Sequence, residues 1–228
     1  MVGFLYLLLA RALMKNGMKK HRKEAGCGLA AQEVADIFFA KAGVTDLKVT
    51  VAKNRYMEEL LDMYLPKSKT LRLSRRVYGD KSLGAYGVIA HWAGVSQVVT
   101  LDSVWMKIAQ VSAKPIRIGK PVAVILVVAG LLAKQEILVS LGLGIVALIM
   151  IYDMLERIQE EIACRKALAV VDEVEILSEE EKKEVKEMVR TCKNTYGGRV
   201  IVPVLTTLKI VRPDRSQILE EMKEEKEA

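Results

Sequence analysis

The 228-residue chain has few of the residues that usually build active sites: two histidines, three cysteines, and 5% aromatic residues. With only His21 and His91, a three-histidine zinc site cannot be assembled within one chain. Cys27, Cys164 and Cys192 are widely scattered and form neither a CxxC pair nor a zinc-ribbon spacing. They read as reduced thiols facing a cytosolic compartment, used as small buried apolar residues. No GxGxxG or GxxxxGKS/T stretch is present, which removes the common nucleotide-binding loops. No GxSxG is present either, and a Ser-His-Asp arrangement would have to use His91, because His21 lies in a basic run expected to be solvated. The net charge is +7, but no aromatic-interleaved basic patch accompanies it. The charge therefore fits an anionic membrane surface better than nucleic acid, and no nucleic-acid partner is expected.

What is present is apolar residues in blocks. The chain is 51% hydrophobic and 28% charged, and both hold together only if the two kinds are segregated. Residues 1–14 are apolar except for Arg11, and a basic run from Lys15 to Lys23 follows. The order is wrong for a signal peptide, and the stretch is short for a span of about 20 residues. It reads as an anchor that lies in the interface or spans with Arg11 snorkelling. The pattern from 28 to 42 is helical and ends at Gly43, a C-cap residue. Residues 47–51 and 70–74 alternate and are expected as two short strands forming an antiparallel pair, while 57–64 is ambiguous. Residues 82–99 predict a helix apolar on all sides, with His91 as the one ionisable side chain in its middle.

The strongest block is 121–152. Residues 122–133 and 137–152 carry no charge and are separated by Lys134-Gln135-Glu136, which predicts two tilted helices forming a transmembrane hairpin. The soluble alternative is a pair of buried core helices. Gly130, Gly142 and Gly144 suit close helix packing. Arg117 and Lys120 enter the hairpin and Arg157, Arg165 and Lys166 follow it, so both ends are expected on the cytoplasmic side. Residues 153–170 read as a helix leaving the membrane, and 177–189 as a helix capped by Ser178. Residues 200–211 are a third, marginal membrane segment or part of a soluble core, and 214–228 is a charged tail.

The stretch from Leu60 to Val99 carries the most specific signal. "LLDMYLPKSKTLRLSRRVYGDKSLGAYGVIAHWAGVSQVV" resembles the membrane-bound neutral zinc metallopeptidases of the YugP type, whose pattern runs roughly "LSDHYDP", "LRLSE.VY" and "GVAAHE.GHAIQ". Asp62, Tyr64, Pro66, Leu71, Arg72, Leu73, Ser74, Val77, Tyr78, Gly87, Val88, Ala90, His91 and Gly94 match. Downstream, "IQEEIACRKALAVVDEVEILSEEE" is similar to the family's "PVEF.AS.RAL" region through Glu160, Ala163, Arg165, Ala167 and Leu168. The resemblance covers roughly 25–212. It implies a mainly α, integral membrane protein: a zincin-like helical core with a short two-stranded β element and the hairpin. The expected organisation is an anchor and basic segment (1–24), a metallopeptidase-like region (25–117), the hairpin (118–152), a downstream helical region (153–213) and the tail (214–228).

The same comparison shows what has been replaced. In HExxH enzymes the two histidines bind zinc from one helix face, and the glutamate acts as general base on the metal-bound water. Here the five residues are His91, Trp92, Ala93, Gly94 and Val95. Trp92 stands at the base position and Val95 at the second ligand position. Glu160 matches the family's downstream carboxylate, and Met63 stands where the family has histidine beside Asp62. The resemblance therefore implies a vestigial site of His91, Glu160, Asp62 and Met63, with no catalytic residue. His91 and Glu160 are weak metal candidates, and no resident cofactor is expected, zinc being the one to test. Loss of polarity at Trp92, Val95 and Met63 is what packing into a vacated site requires. A hydrogen bond between His91 and Glu160 is expected in place of the metal. The reading is a catalytically inactive homologue in the cell membrane, multi-pass, with its main soluble part in the cytoplasm. Its expected partners are membrane lipid and a protein, such as a paralogous metallopeptidase. The alternatives are an active membrane zinc endopeptidase with a non-standard site, and a membrane-anchored binder of lipid or nucleic acid working through its basic surface.

Overall fold

The computed structural model describes residues 2–52, 62–66, 68–99 and 104–196. Residues 57–61 of the ambiguous stretch, and the expected segments 200–211 and 214–228, lie outside these residues. The chain is mainly helical, built around one apolar helix, α4 (Leu83–Val99), in which every residue from Leu83 to Ser96 is buried.

The N-terminal helix α1 (Val2–Lys20) continues through the basic run. Met14, Gly17, Met18 and His21, spaced i, i+3, i+4 and i+7, are buried on one face. That face rests on α7 (Glu179–Tyr196): a Cβ on Gly17 would stand 3.0 Å from Thr191 and 3.1 Å from Met188. His21 is therefore not solvated as expected. It is 3% exposed, with Nδ1 3.5 Å from Glu184 and Nε2 3.7 Å from Glu187. Helical periodicity turns it inward while Lys19, Lys20, Arg22 and Lys23 stay outside.

Helix α2 (Ala31–Lys41) starts later than its periodicity suggests, because Gly28 adopts a φ of +65° in a turn closed onto Ala25. It ends as expected: Gly43, at φ +82°, donates to the Ala40 carbonyl. Both expected strands exist, as β1 (Lys48–Val51) and β3 (Thr70–Leu73), but they pair in parallel, and the sheet has a third member, β2 (Met63–Leu65). The order is β1-β3-β2, with β2 antiparallel to β3. The turn at Pro66, where Lys69 N–H donates to the Pro66 carbonyl, is a tight reversal and can only join antiparallel neighbours. It gives one side of β3 to β2, so β1 takes the other side in parallel. A short α3 (Arg75–Tyr78) then leads to α4.

Three helices approach α4, each at a glycine. A Cβ on Gly84 would stand 3.2 Å from the His21 carbonyl, just past α1, and one on Gly87 would stand 2.5 Å from Met188 of α7. A Cβ on Gly94 would run into the Ala163 carbonyl and stand 2.6 Å from Ala167 of α6 (Glu136–Glu173). Cβ atoms at these points would push the helices apart.

The hairpin is present but belongs to longer helices than expected. α5 (Val104–Leu132) runs through Pro115 and Pro121, and the separate helix expected over 153–170 is the uninterrupted continuation of α6. The reversal falls at Ala133, Lys134 and Gln135, with Lys134 at φ +53°. Gly130 and Gly142 do bring the helices together, since a Cβ on them would stand 2.8 Å from Val139 and 2.6 Å from Val127, whereas Gly144 is exposed and a Cβ there would meet nothing within 4 Å. Lys120 and Asp153 pair at 3.0 Å across the base. The alternative of two buried core helices does not hold: Val124, Ile125, Leu131, Leu132, Ile137 and Leu141 are each more than half exposed. Among the described residues α6 is the one helix long and apolar enough to cross a bilayer, and the apolar part of α5, Ile118–Leu132, is shorter.

Helix α7 runs past its expected end to Tyr196. Its cap is as expected: Ser178 Oγ accepts from Glu181 N–H, while the Glu181 carboxylate accepts from Ser178 N–H at 2.8 Å and its hydroxyl at 2.9 Å.

Candidate active site

The crossing of α4 and α6 positions the site. Because Gly94 lets α4 lie against Ala163 and Ala167, the side chains one turn away, His91 and Glu160, are brought face to face. His91 is fully buried and Glu160 is 6% exposed, with Nε2 to Oε2 at 3.8 Å. That separation is within ion-pair range but beyond a direct hydrogen bond, so the expected hydrogen bond between these two atoms is not formed.

The two replaced positions of the motif are both in the core. Val95, one turn beyond His91, is 3% exposed and offers an isopropyl group. Trp92 is 6% exposed, and its ring lies edge-on to the His91 imidazole at 5.3 Å between centroids. An indole has an N–H donor and no acceptor for a proton, so it cannot activate water as a base. Met63 is half-buried at the start of β2. Asp62 precedes it, 3% exposed, and its carboxylate accepts the Ser74 backbone N–H at 2.6 Å. This residue thus holds the start of α3 to the β2 end of the sheet.

Sequence reasoning treated Cys192 as one of three unrelated thiols, and the structure places it beside the candidate site. It is fully buried on α7, and its thiol is held well above its ordinary range by burial first, then by the carboxylates of Asp62 and Glu160 and by Cys164. Cys164 is also raised, chiefly by burial. The spacing of Val185, Met188, Val189 and Cys192 was the signal that Cys192 lies on the inward stripe of α7.

A catalytic zinc needs three protein ligands and an open position for water. His91 and Glu160 supply two donors and Val95 supplies none, while Asp62 accepts the Ser74 amide through Oδ1. Among the described residues no three His, Cys, Asp or Glu side chains converge so as to hold a metal ion. The residues in place therefore do not fit a hydrolytic zinc centre.

No curated protein and no solved structure matches this chain. The sequence model of the neutral zinc metallopeptidase family matches residues 1–213, nearly the whole length, including the hairpin and both halves of the site. The chain belongs to the neutral zinc metallopeptidase family.

Proposed function

We propose that this chain is a catalytically inactive membrane member of its family, a pseudo-protease serving as an interaction or scaffold subunit of a membrane complex. The observation that carries the reading is the side chains of Trp92 and Val95, packed into the core of α4 at the base and second-ligand positions. Hydrolysis of a peptide needs an activated water, and neither an indole nor an isopropyl group provides one. On this reading no residue is catalytic, no zinc is resident, and His91, Glu160, Asp62 and Met63 are structural remnants.

The membrane part of the proposal is supported by the outward apolar side chains of the hairpin and by the length of α6. A multi-pass arrangement with the soluble helices in the cytoplasm is supported by Lys120, Arg157, Arg165 and Lys166 at the hairpin base. The proposed partners are lipid and another membrane protein, such as a paralogous metallopeptidase, and not nucleic acid.

A second reading, an active zinc endopeptidase with a non-standard site, draws on one observation: His91 and Glu160 still face each other at 3.8 Å. Incubating the purified full-length chain with a mixed peptide library, with and without added zinc and chelator, separates the two. The proposal predicts no chelator-sensitive cleavage. Cleavage that follows zinc and stops with chelator would establish the second reading.

A further inference from the structure

Where α7 lies along α6, cations gather around a single carboxylate. α7 pairs with α6 first through Lys186 and Asp172, then through Lys193 and Glu161 at 2.8 Å. It therefore runs antiparallel to α6, toward the hairpin. The Glu161 carboxylate also takes Arg165, one turn along α6, at 3.5 Å. Two more guanidinium groups stand a turn away, Arg157 before Glu161 on α6 and Arg190 before Lys193 on α7. Both are exposed, and among the described residues neither has an acidic partner. The fields of Lys193 and Arg190 both reach the Cys164 thiol, which places Arg190 at the same seam. Four cations thus share one carboxylate. Lys120, Lys182 and Lys186 nearby each have a carboxylate of their own, in Asp153, Glu179 and Asp172.

The cluster sits at the end of the seam that faces the hairpin. The uncharged run of α6 ends at Asp153. Along the helix, Arg157 lies about 6 Å below that point and Glu161, where Arg165 and Lys193 converge, about 12 Å below it. A headgroup layer adds roughly 5–8 Å to each side of the hydrocarbon, so Arg157 falls at headgroup depth. The remaining cations fall within about a Debye length of it, roughly 8 Å at physiological salt. Anionic headgroups attract lysine and arginine over that range, and a guanidinium can hold two phosphate oxygens at once. The patch is also continuous with the exposed apolar side chains of the hairpin, so lipid around one reaches the other.

We propose that Arg157, Arg165, Arg190 and Lys193 form a headgroup site for anionic phospholipid at the base of the hairpin. The site rests on the membrane reading above and adds to it a lipid class and a place. The bound phosphate offsets the repulsion among cations that Glu161 alone leaves unbalanced.

The melting temperature of the full-length chain in mild detergent, read with added phosphatidylglycerol, phosphatidylcholine or inorganic phosphate, tests this. Phosphatidylglycerol is expected to raise it by several degrees, and the other two to leave it nearly unchanged. The double variant Arg157→Gln/Arg190→Gln is expected to lose most of that rise. Lys41→Gln/Lys48→Gln, which removes the same charge at exposed positions outside the cluster, should keep it. Equal shifts with the two lipids, an equal shift with inorganic phosphate, no shift at all, or equal loss in the two double variants would overturn the proposal. The hairpin is untouched in Arg157→Gln/Arg190→Gln, which should still resist carbonate extraction from membranes. Release of the parent chain by salt alone would instead sink the membrane reading, so the two failures are distinguishable.

Discussion

His91 and Glu160 are buried side by side, within ion-pair range of each other. Taking a single charged group out of water costs several kcal/mol, and removing one partner of a buried pair leaves the other uncompensated. Glu160→Leu is therefore expected to lower unfolding stability by roughly 3 kcal/mol. Glu160→Gln, which keeps an acceptor opposite the imidazole, is expected to lose about 1 kcal/mol. Denaturant unfolding in mild detergent reads both, and two variants as stable as the parent would show that the pair is not structural. At this scale the sequence was most legible where a motif fixed the spacing. His91, Trp92 and Val95 lie on one helix, so their relation needed only the helical repeat. The role of Asp62 was not legible, because its partner is a backbone amide twelve residues away, in a turn whose path depends on the whole sheet. His21 was misread because four charged neighbours in sequence outweighed the apolar periodicity that places it against α7.

At the scale of elements, the molecule is organised by close approach to α4. Gly94→Ala would drive a methyl group into the Ala163 carbonyl and the Ala167 backbone nitrogen, neither of which can swing aside as a flexible side chain would. A loss of about 2 kcal/mol is expected, with the larger Gly94→Val worse. Unchanged melting of Gly94→Ala would mean that the crossing is looser than described. The cap of α7 gives a pH-dependent prediction. The Glu181 carboxyl lies below its ordinary range because it accepts the Gly26 N–H at 2.6 Å, and then the Ser178 N–H. A depressed folded-state value means that the ionised form favours folding. Its contribution is complete above the ordinary carboxylate range and lost as pH falls through the lowered value. Glu181→Gln is therefore expected to be less stable than the parent at neutral pH, with the gap closing on acidification. A pH-independent gap in melting temperature would contradict this. The parallel pairing of β1 and β3 could not be read from their alternation, since alternation sets which face is buried and not which neighbour is taken.

At the scale of the whole chain, the apolar hairpin differs from the packed helices in having its large apolar side chains exposed. Segregated composition made it legible from sequence, because long uncharged runs have few other uses. Its true extent was not legible: α6 passes from the hairpin to Glu160 and on to Glu173 without a break, and no local signal marks the change from outward-facing to core-facing. Membranes from cells expressing the full-length chain should retain it through alkaline carbonate and high-salt washing and release it to detergent. Release by salt alone would reduce the hairpin to a surface contact.

The claim that this chain has given up metal-dependent hydrolysis is tested most directly by counting zinc. The full-length protein, purified in detergent, loaded with excess zinc and exhaustively dialysed, should retain far less than one ion per chain. One ion per chain, lost on Glu160→Gln or His91→Ala substitution, would contradict the account.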